Sequence, residues 1–128
     1  MHNLFVYGTL KRGYGNNRLL KRAEILGTAT SIGKYHLLAG GFPFMIDSLD
    51  QDEGARVRGE IYRVNEEELA RCDRLEGHPR FYMRELRAFK LSDGTLLEAW
   101  VYLWQSHRGE HFYEVLQPDD NGIVEWRR

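Results

Sequence analysis

Hydrophobic residues recur along this chain in more than one rhythm, and each rhythm predicts an element. Leu4-Phe5-Val6-Tyr7 is an unbroken apolar, β-favouring run, the pattern of a strand buried on both faces. Arg56 to Val64 alternates instead, with Val57, Gly59 and Ile61 on one face and Arg58, Glu60 and Tyr62 on the other. Ile25 to Leu38 mixes β-branched residues with Gly27, Gly33 and Tyr35, which predicts one or two strands around a bend. Gly40 to Ile46 reads as a turn entering a short apolar strand, and Asp50 to Gly54 as an exposed loop. Phe81 to Leu91 and Leu96 to Trp104 flank Ser92-Asp93-Gly94, the signal of a hairpin.

Helical signals are fewer. Asn65 stands as an N-cap with Glu68 completing a capping box, and Val64 and Leu69 occupy the positions of a hydrophobic staple. Glu66 and Glu67 suit the positive end of that helix, Gly77 stops it and Pro79 prevents a restart. Asn16 to Ala23 predicts a shorter helix capped by an asparagine. From Gln105 onward the chain is polar, with a turn at Pro118 to Gly122. Strands therefore dominate, and the expected class is α+β: a compact, bent mixed β-sheet or small β-barrel flanked by short helices. At 128 residues the expectation is a single domain over 1–128 with one core.

Charge and composition narrow the function classes. Eighteen basic residues against 19 acidic ones leave no net pull toward nucleic acid or an anionic membrane. Lys11, Arg12, Arg18, Lys21 and Arg22 form a local basic run that Glu24 closes, and it reads as a solvated helix face. A single cysteine, Cys72, excludes an intramolecular disulfide and suits a reducing cytoplasm. No signal segment, membrane-length apolar stretch, low-complexity tract or internal repeat stands out.

The first strand ends at Gly8, and Thr9 and Leu10 then follow with N–H groups that have no ladder partner in view. Successive N–H groups at a bend form a nest for an oxyanion or carboxylate, and an ordinary strand-to-loop turn is the alternative. Gly8 and Gly13 have the spacing of a phosphate-binding loop, but Tyr14 and Gly15 stand where Lys and Ser/Thr are needed. A dinucleotide fingerprint fails as well, because no glycine follows Gly15 three residues on.

Inside the capped helix, Glu76 falls about 20° from Leu69 at roughly 100° per residue, on the same side as Cys72. An inward carboxylate costs several kcal/mol unless it is paired or its pKa rises, and a raised pKa suits a general acid/base. The alternative is a helix-end glutamate that lifts out to water. Asp73, about 60° from Glu76 around the helix, forms either a carboxylate pair with it or a bond to a neighbouring strand or loop. His107 and His111 have helical ligand spacing, yet Gly109 between them and the polar surroundings argue against zinc. His2, His36 and His78 are isolated; Cys72 reads as core, and no serine forms a nucleophile elbow. Trp100, Tyr102 and Trp104 share a strand face, as barrel wall or pocket lining.

Phe5-Val6-Tyr7-Gly8-Thr9-Leu10-Lys11-Arg12-Gly13 resembles the signature loop of the γ-glutamylcyclotransferase-like superfamily, most closely its γ-glutamylamine cyclotransferase branch. Val57 to Tyr62 is similar to the second strand motif of that family. Asp73-Arg74-Leu75-Glu76-Gly77, with Pro79, Tyr82 and Arg84, is similar to its catalytic segment. The resemblance covers most of residues 4 to 104 and departs at Cys72, where leucine is usual, and in the tail. It implies a bent barrel with one cavity, and cleavage of a γ-glutamyl amide by the substrate's own α-amine, giving 5-oxoproline and a free amine. By motif position it makes Glu76 the catalytic residue and Tyr7, Gly8, Thr9 and Leu10 the substrate loop, with no cofactor and no metal. The implied partner is a small γ-glutamyl substrate, without nucleic acid or membrane, in a cytoplasmic monomer or weak homodimer. The Lys11-Arg12-Gly13 extension predicts γ-glutamylamines or γ-glutamyl amino acids over glutathione. A non-catalytic member of the same fold that binds a small amino-acid-like ligand is the alternative.

Overall fold

The computed structural model describes residues 1–105 and 113–127. In chain order the elements are β1 (His2–Val6), a 3₁₀ turn (Gly15–Leu20), β2 (Glu24–Ser31), β3 (Tyr35–Ala39), β4 (Pro43–Asp47), β5 (Arg56–Val64), α1 (Glu66–Glu76), β6 (Tyr82–Leu91), β7 (Leu96–Trp104), β8 (Glu114–Val115) and β9 (Ile123–Val124).

The apolar N-terminal run is buried on both sides, as its composition requires. Phe5 and Tyr7 enter the core inside the sheet, whereas Leu4 and Val6 join a second core with Leu69 and Cys72 of α1. β1 pairs antiparallel with β5 and parallel with β7, so the order β1-β7-β6-β2-β5 returns to β1 and closes a five-stranded barrel. Phe5 and Phe89 stack across its interior with ring centroids 4.2 Å apart. β4-β3-β8 forms a separate small sheet. Closure removes most exposed strand edges, which for a barrel this small leaves ligand space only at its ends and flanks.

α1 begins as its capping pattern dictates. The Glu68 N–H donates to Asn65 Oδ1 and the Asn65 N–H to Glu68 Oε1, both at 2.8 Å. Gly77 ends it with φ +66°, a left-handed conformation that a β-carbon disfavours. The hairpin also forms in full, from Tyr82 opposite Trp104 to Lys90 opposite Leu96.

Three readings are corrected. The short helix is a 3₁₀ segment that follows Tyr14 and has no side-chain cap. Asn16 donates its amide to Thr9 Oγ1 and Asn17 to the Leu10 carbonyl, each at 2.8 Å, so both asparagines serve the first loop instead of a helix start. Lys11 is not on a solvated face; it is 5% exposed. Its Nζ donates to the Trp126 carbonyl at 2.6 Å and lies over the Tyr14 and Trp126 rings at 5.5 and 5.9 Å. The polar tail, finally, completes the barrel core with buried Val124 and Trp126, and β9 pairs parallel with β5. No helix among the described residues is long and apolar enough to cross a membrane.

Candidate active site

The C-terminus of α1 is pinned to the hairpin through Asp73. Its Oδ1 accepts from the Tyr102 hydroxyl at 2.7 Å and from Arg84 Nε at 2.9 Å. The Arg84 guanidinium lies 4.4 Å over the Trp100 ring, and the Arg84 N–H donates to His78 Nδ1 at 3.2 Å. Asp73 is thus committed to strand partners and does not form a carboxylate pair with Glu76. Trp100 serves this anchor, while Tyr102 and Trp104 line a cavity.

One turn later Glu76 faces that cavity. The side chain does not lift out to water: it is half-buried and makes no hydrogen bond or ion pair among the described residues. Burial alone pushes its carboxyl up to about 7. Such a group both accepts and donates protons near neutral pH. Two hydroxyls beside it stay protonated. Burial, then the Tyr82 and Glu76 charges, hold Tyr7 well above its ordinary pKa; burial, then Glu76, does the same to Tyr82. Cys72 is fully buried in the core beside Leu69, and its thiol is pushed up to about 12, by burial first and then by Glu76 and Asp73.

The first loop forms the opposite wall. The Lys11 N–H donates to the Gly8 carbonyl at 3.0 Å and the Asn16 N–H to the Thr9 carbonyl at 3.2 Å, while the Leu10 carbonyl takes Asn17. These turn bonds consume carbonyls; none uses the N–H of Gly8, Thr9 or Leu10. Tyr7 anchors the loop by donating its hydroxyl to the Tyr102 carbonyl at 2.6 Å. Gly8 has a different reason from the one its sequence context suggests. A β-carbon there would stand 2.7 Å from Pro43 Cγ, so the close neighbour is this chain's own β4. Tyr82 holds Pro43 in turn, donating to its carbonyl at 2.9 Å.

Glu76 and the four loop residues Tyr7, Gly8, Thr9 and Leu10 therefore meet around one cavity of about 660 Å³. Sequence reasoning missed Phe42 and Pro43, which reach it from the β3–β4 turn, and Asn16. An aromatic beside Gly40-Gly41, where turn residues are usually polar, was the available signal. Lys11 and Arg12 do not line this cavity but a separate cleft near Glu60 and Glu125. Among the described residues no group of three or more His, Cys, Asp or Glu side chains is placed to hold a metal ion. His107 and His111 lie outside the described residues.

Comparison with known proteins agrees with this geometry. The family model described as gamma-glutamyl cyclotransferase, AIG2-like, matches residues 4–126, which takes in the tail as well as the loop and helix motifs. The gamma-L-glutamyl-butirosin B gamma-glutamyl cyclotransferase of Niallia circulans is 42% identical over 139 aligned positions, covering 94% of this chain and 86% of its own. The gamma-glutamylaminecyclotransferase of Bos taurus is 32% identical over 120 positions, covering 78% of this chain and 70% of its own. The crystal structure of an AIG2-like protein from Mus musculus superposes with a TM-score of 0.78 at 26% identity, covering 100% of this chain and 97% of that one. From the first strand to the buried Trp126, this chain belongs to the gamma-glutamyl cyclotransferase, AIG2-like family.

Proposed function

We propose that the protein cleaves a γ-glutamyl amide by intramolecular cyclisation, with Glu76 as its proton-transfer group. The observation that carries this reading is a cavity-facing carboxyl, without a partner among the described residues and raised to about 7, opposite a loop whose turn bonds leave N–H groups unused. The N–H groups of Gly8 to Leu10 hold oxygens of the γ-glutamyl half, and Tyr7 fixes the loop that presents them. Holding the α-amine against the γ-carbonyl is an orientation problem, and the loop and Glu76 lining one cavity are suited to it.

Ionised Glu76 takes one proton from the substrate α-ammonium. The freed nitrogen attacks the γ-carbonyl carbon, and a tetrahedral centre forms with its oxygen toward the loop. As the amide C–N bond breaks, Glu76 returns its proton to the leaving nitrogen. The attacking nitrogen sheds a second proton to the departing amine. The products are 5-oxoproline and an ammonium, and no water is consumed. One carboxyl with a pKa near 7 serves both directions of transfer.

The assay is 5-oxoproline release from γ-glutamyl-ε-lysine, γ-glutamyl amino acids and glutathione, by the wild type and by Glu76→Gln. The expected result is turnover of the simpler amides in preference to glutathione, and a fall of about 10²–10⁴-fold in the variant. Near-normal turnover by a folded Glu76→Gln protein would overturn the assignment, and cleavage of glutathione alone would overturn the substrate class.

A further inference from the structure

The mouth of the cavity is built from aromatic side chains that water still reaches. Phe42 and Phe81 are 48% and 58% exposed, one on the β3–β4 turn and the other between α1 and β6. Each is nonetheless held in place. The Phe42 ring meets Phe44 edge-on at 4.8 Å, and Phe44 packs on Trp104 at 4.7 Å. Trp104 and Phe81 lie nearly parallel at 6.3 Å. Phe81 also covers Gly77, where a β-carbon would stand 2.6 Å from the ring. Ring contacts therefore run from Phe42 through buried Phe44 to Trp104 and Phe81, and Phe42, Trp104 and Phe81 line the cavity together with Glu76.

Ordered aromatics at the rim of a cavity carry hydrophobic free energy that only a ligand collects, at roughly 25 cal/mol per Å² covered. The charges around this cavity add a constraint. Glu76 and Arg74 are the acidic and basic side chains among the described residues that line it, so a second ammonium on a ligand would meet a guanidinium and no second carboxylate.

We propose that this aromatic mouth is the subsite for the amine half of the substrate, and that it selects amines bearing an aromatic or other large apolar group. The inference rests on the cyclotransferase reading above. With the γ-glutamyl half on the Tyr7–Leu10 loop and the scissile nitrogen at Glu76, the nitrogen substituent leaves along Phe81 and Trp104. Lys11 and Arg12, turned to the other cleft, take no part in this choice.

The experiment measures binding of three γ-glutamyl amides to Glu76→Gln by calorimetry, alongside 5-oxoproline release by the wild type. The amides are those of methylamine, phenethylamine and cadaverine. The phenethylamide should bind about 10–100-fold more tightly than the methylamide, and the cadaverine amide, comparably long but ending in an ammonium, should gain little. Replacing Phe42 and Phe81 together by alanine should cut the advantage of phenethylamide over methylamide about tenfold. Equal affinity for phenethylamide and methylamide, equal affinity for phenethylamide and cadaverine amide, or an advantage that survives both alanines, would each overturn the proposal. Selective phenethylamide binding with no 5-oxoproline from any amide would sustain the subsite and refute the catalytic reading. Binding of none of them, with no 5-oxoproline released by the wild type, would refute both.

Discussion

Two ionisable side chains of this fold are withdrawn from water, Lys11 beyond the first loop and Glu76 at the end of α1, and their surroundings differ in kind. Lys11 is the more deeply buried, yet it donates to the Trp126 carbonyl, lies 3.8 Å from Glu125 and sits over two aromatic rings. Glu76 is less enclosed but makes no hydrogen bond or ion pair among the described residues. A fully partnered buried charge is part of the architecture, since desolvation is offset by contacts that hold two segments together. A buried charge left without partners costs stability, and on the function proposed above the compensation lies in proton transfer. The first loop divides accordingly: Tyr7 to Leu10 face the cavity, and Lys11 and Arg12 tie the loop to the tail and to β5, where the Arg12 N–H donates to Glu60 at 2.8 Å.

The sharpest break of this contrast is a pair of opposite phenotypes. Glu76→Gln should lose about 10²–10⁴-fold in rate, some 3–5 kcal/mol of barrier, while its thermal unfolding temperature holds or rises. The wild type should show kcat/KM climbing with pH and levelling above about 7, the pKa of the free carboxyl. A glutamine variant that unfolds early would make the carboxylate architectural, like Lys11.

The pH dependence of stability sharpens the same point with a smaller effect. The folded-state pKa of Glu76, about 7, lies above the ordinary 4.5, so the folded state binds the extra proton between those values. The associated stability is fully present below about 4.5 and is lost as pH rises through 7. By linkage this amounts to at most roughly 3–4 kcal/mol. Denaturant titrations of wild type and Glu76→Gln from pH 5 to 8 should diverge as pH rises, the wild type declining relative to the variant. Parallel curves would show that the carboxyl is not desolvated.

Lys11→Met tests the other half. The methionine keeps the length but removes the charged hydrogen bond to the Trp126 carbonyl and the ammonium over the Tyr14 and Trp126 rings, which costs about 1–3 kcal/mol. Stability should fall by that amount, with kcat of the folded protein nearly unchanged. A large loss of kcat without a loss of stability would place Lys11 in the chemistry.

These contrasts also explain what could be read from the sequence. The two-sided burial of β1, the capping box of α1 and the Asp93-Gly94 hairpin depend on neighbours a few residues apart, and all formed as read. The inward direction of Glu76 followed from helical periodicity, although periodicity could not say whether a last-turn side chain escapes to water. Lys11 and Trp126 are 115 positions apart, so their contact has no local signature and a solvated basic run was the natural reading. Neither Asn16 nor Asn17 caps because the 3₁₀ turn already begins at Gly15, which puts both inside it, with their amides donating to the preceding loop. Phe42 and Phe81 escaped notice because isolated aromatics in turns acquire meaning only once β4 and β7 bring their rings to one surface.

The smallest expected effect concerns how firmly Glu76 is aimed. Asp73 accepts from the Tyr102 hydroxyl and Arg84 Nε through one oxygen, and this is the tie between the last turn of α1 and the hairpin. Asp73→Asn keeps an acceptor oxygen in place but removes the charge that makes both bonds strong. The helix end should remain docked, because Gly77 and the His78 N–H to Asp73 carbonyl bond close it independently. Misplacement of Glu76 by a fraction of an ångström should then lower kcat about three- to tenfold, with KM nearly constant. Tyr102→Phe, which deletes one donor and leaves the backbone carbonyl that holds Tyr7, should fall in the same range. A loss in either variant as large as that of Glu76→Gln, in folded protein, would make Asp73 a participant in proton transfer and not a positioning residue. Unchanged kcat in both would free α1 from this anchor and leave the aim of Glu76 to Gly77 alone.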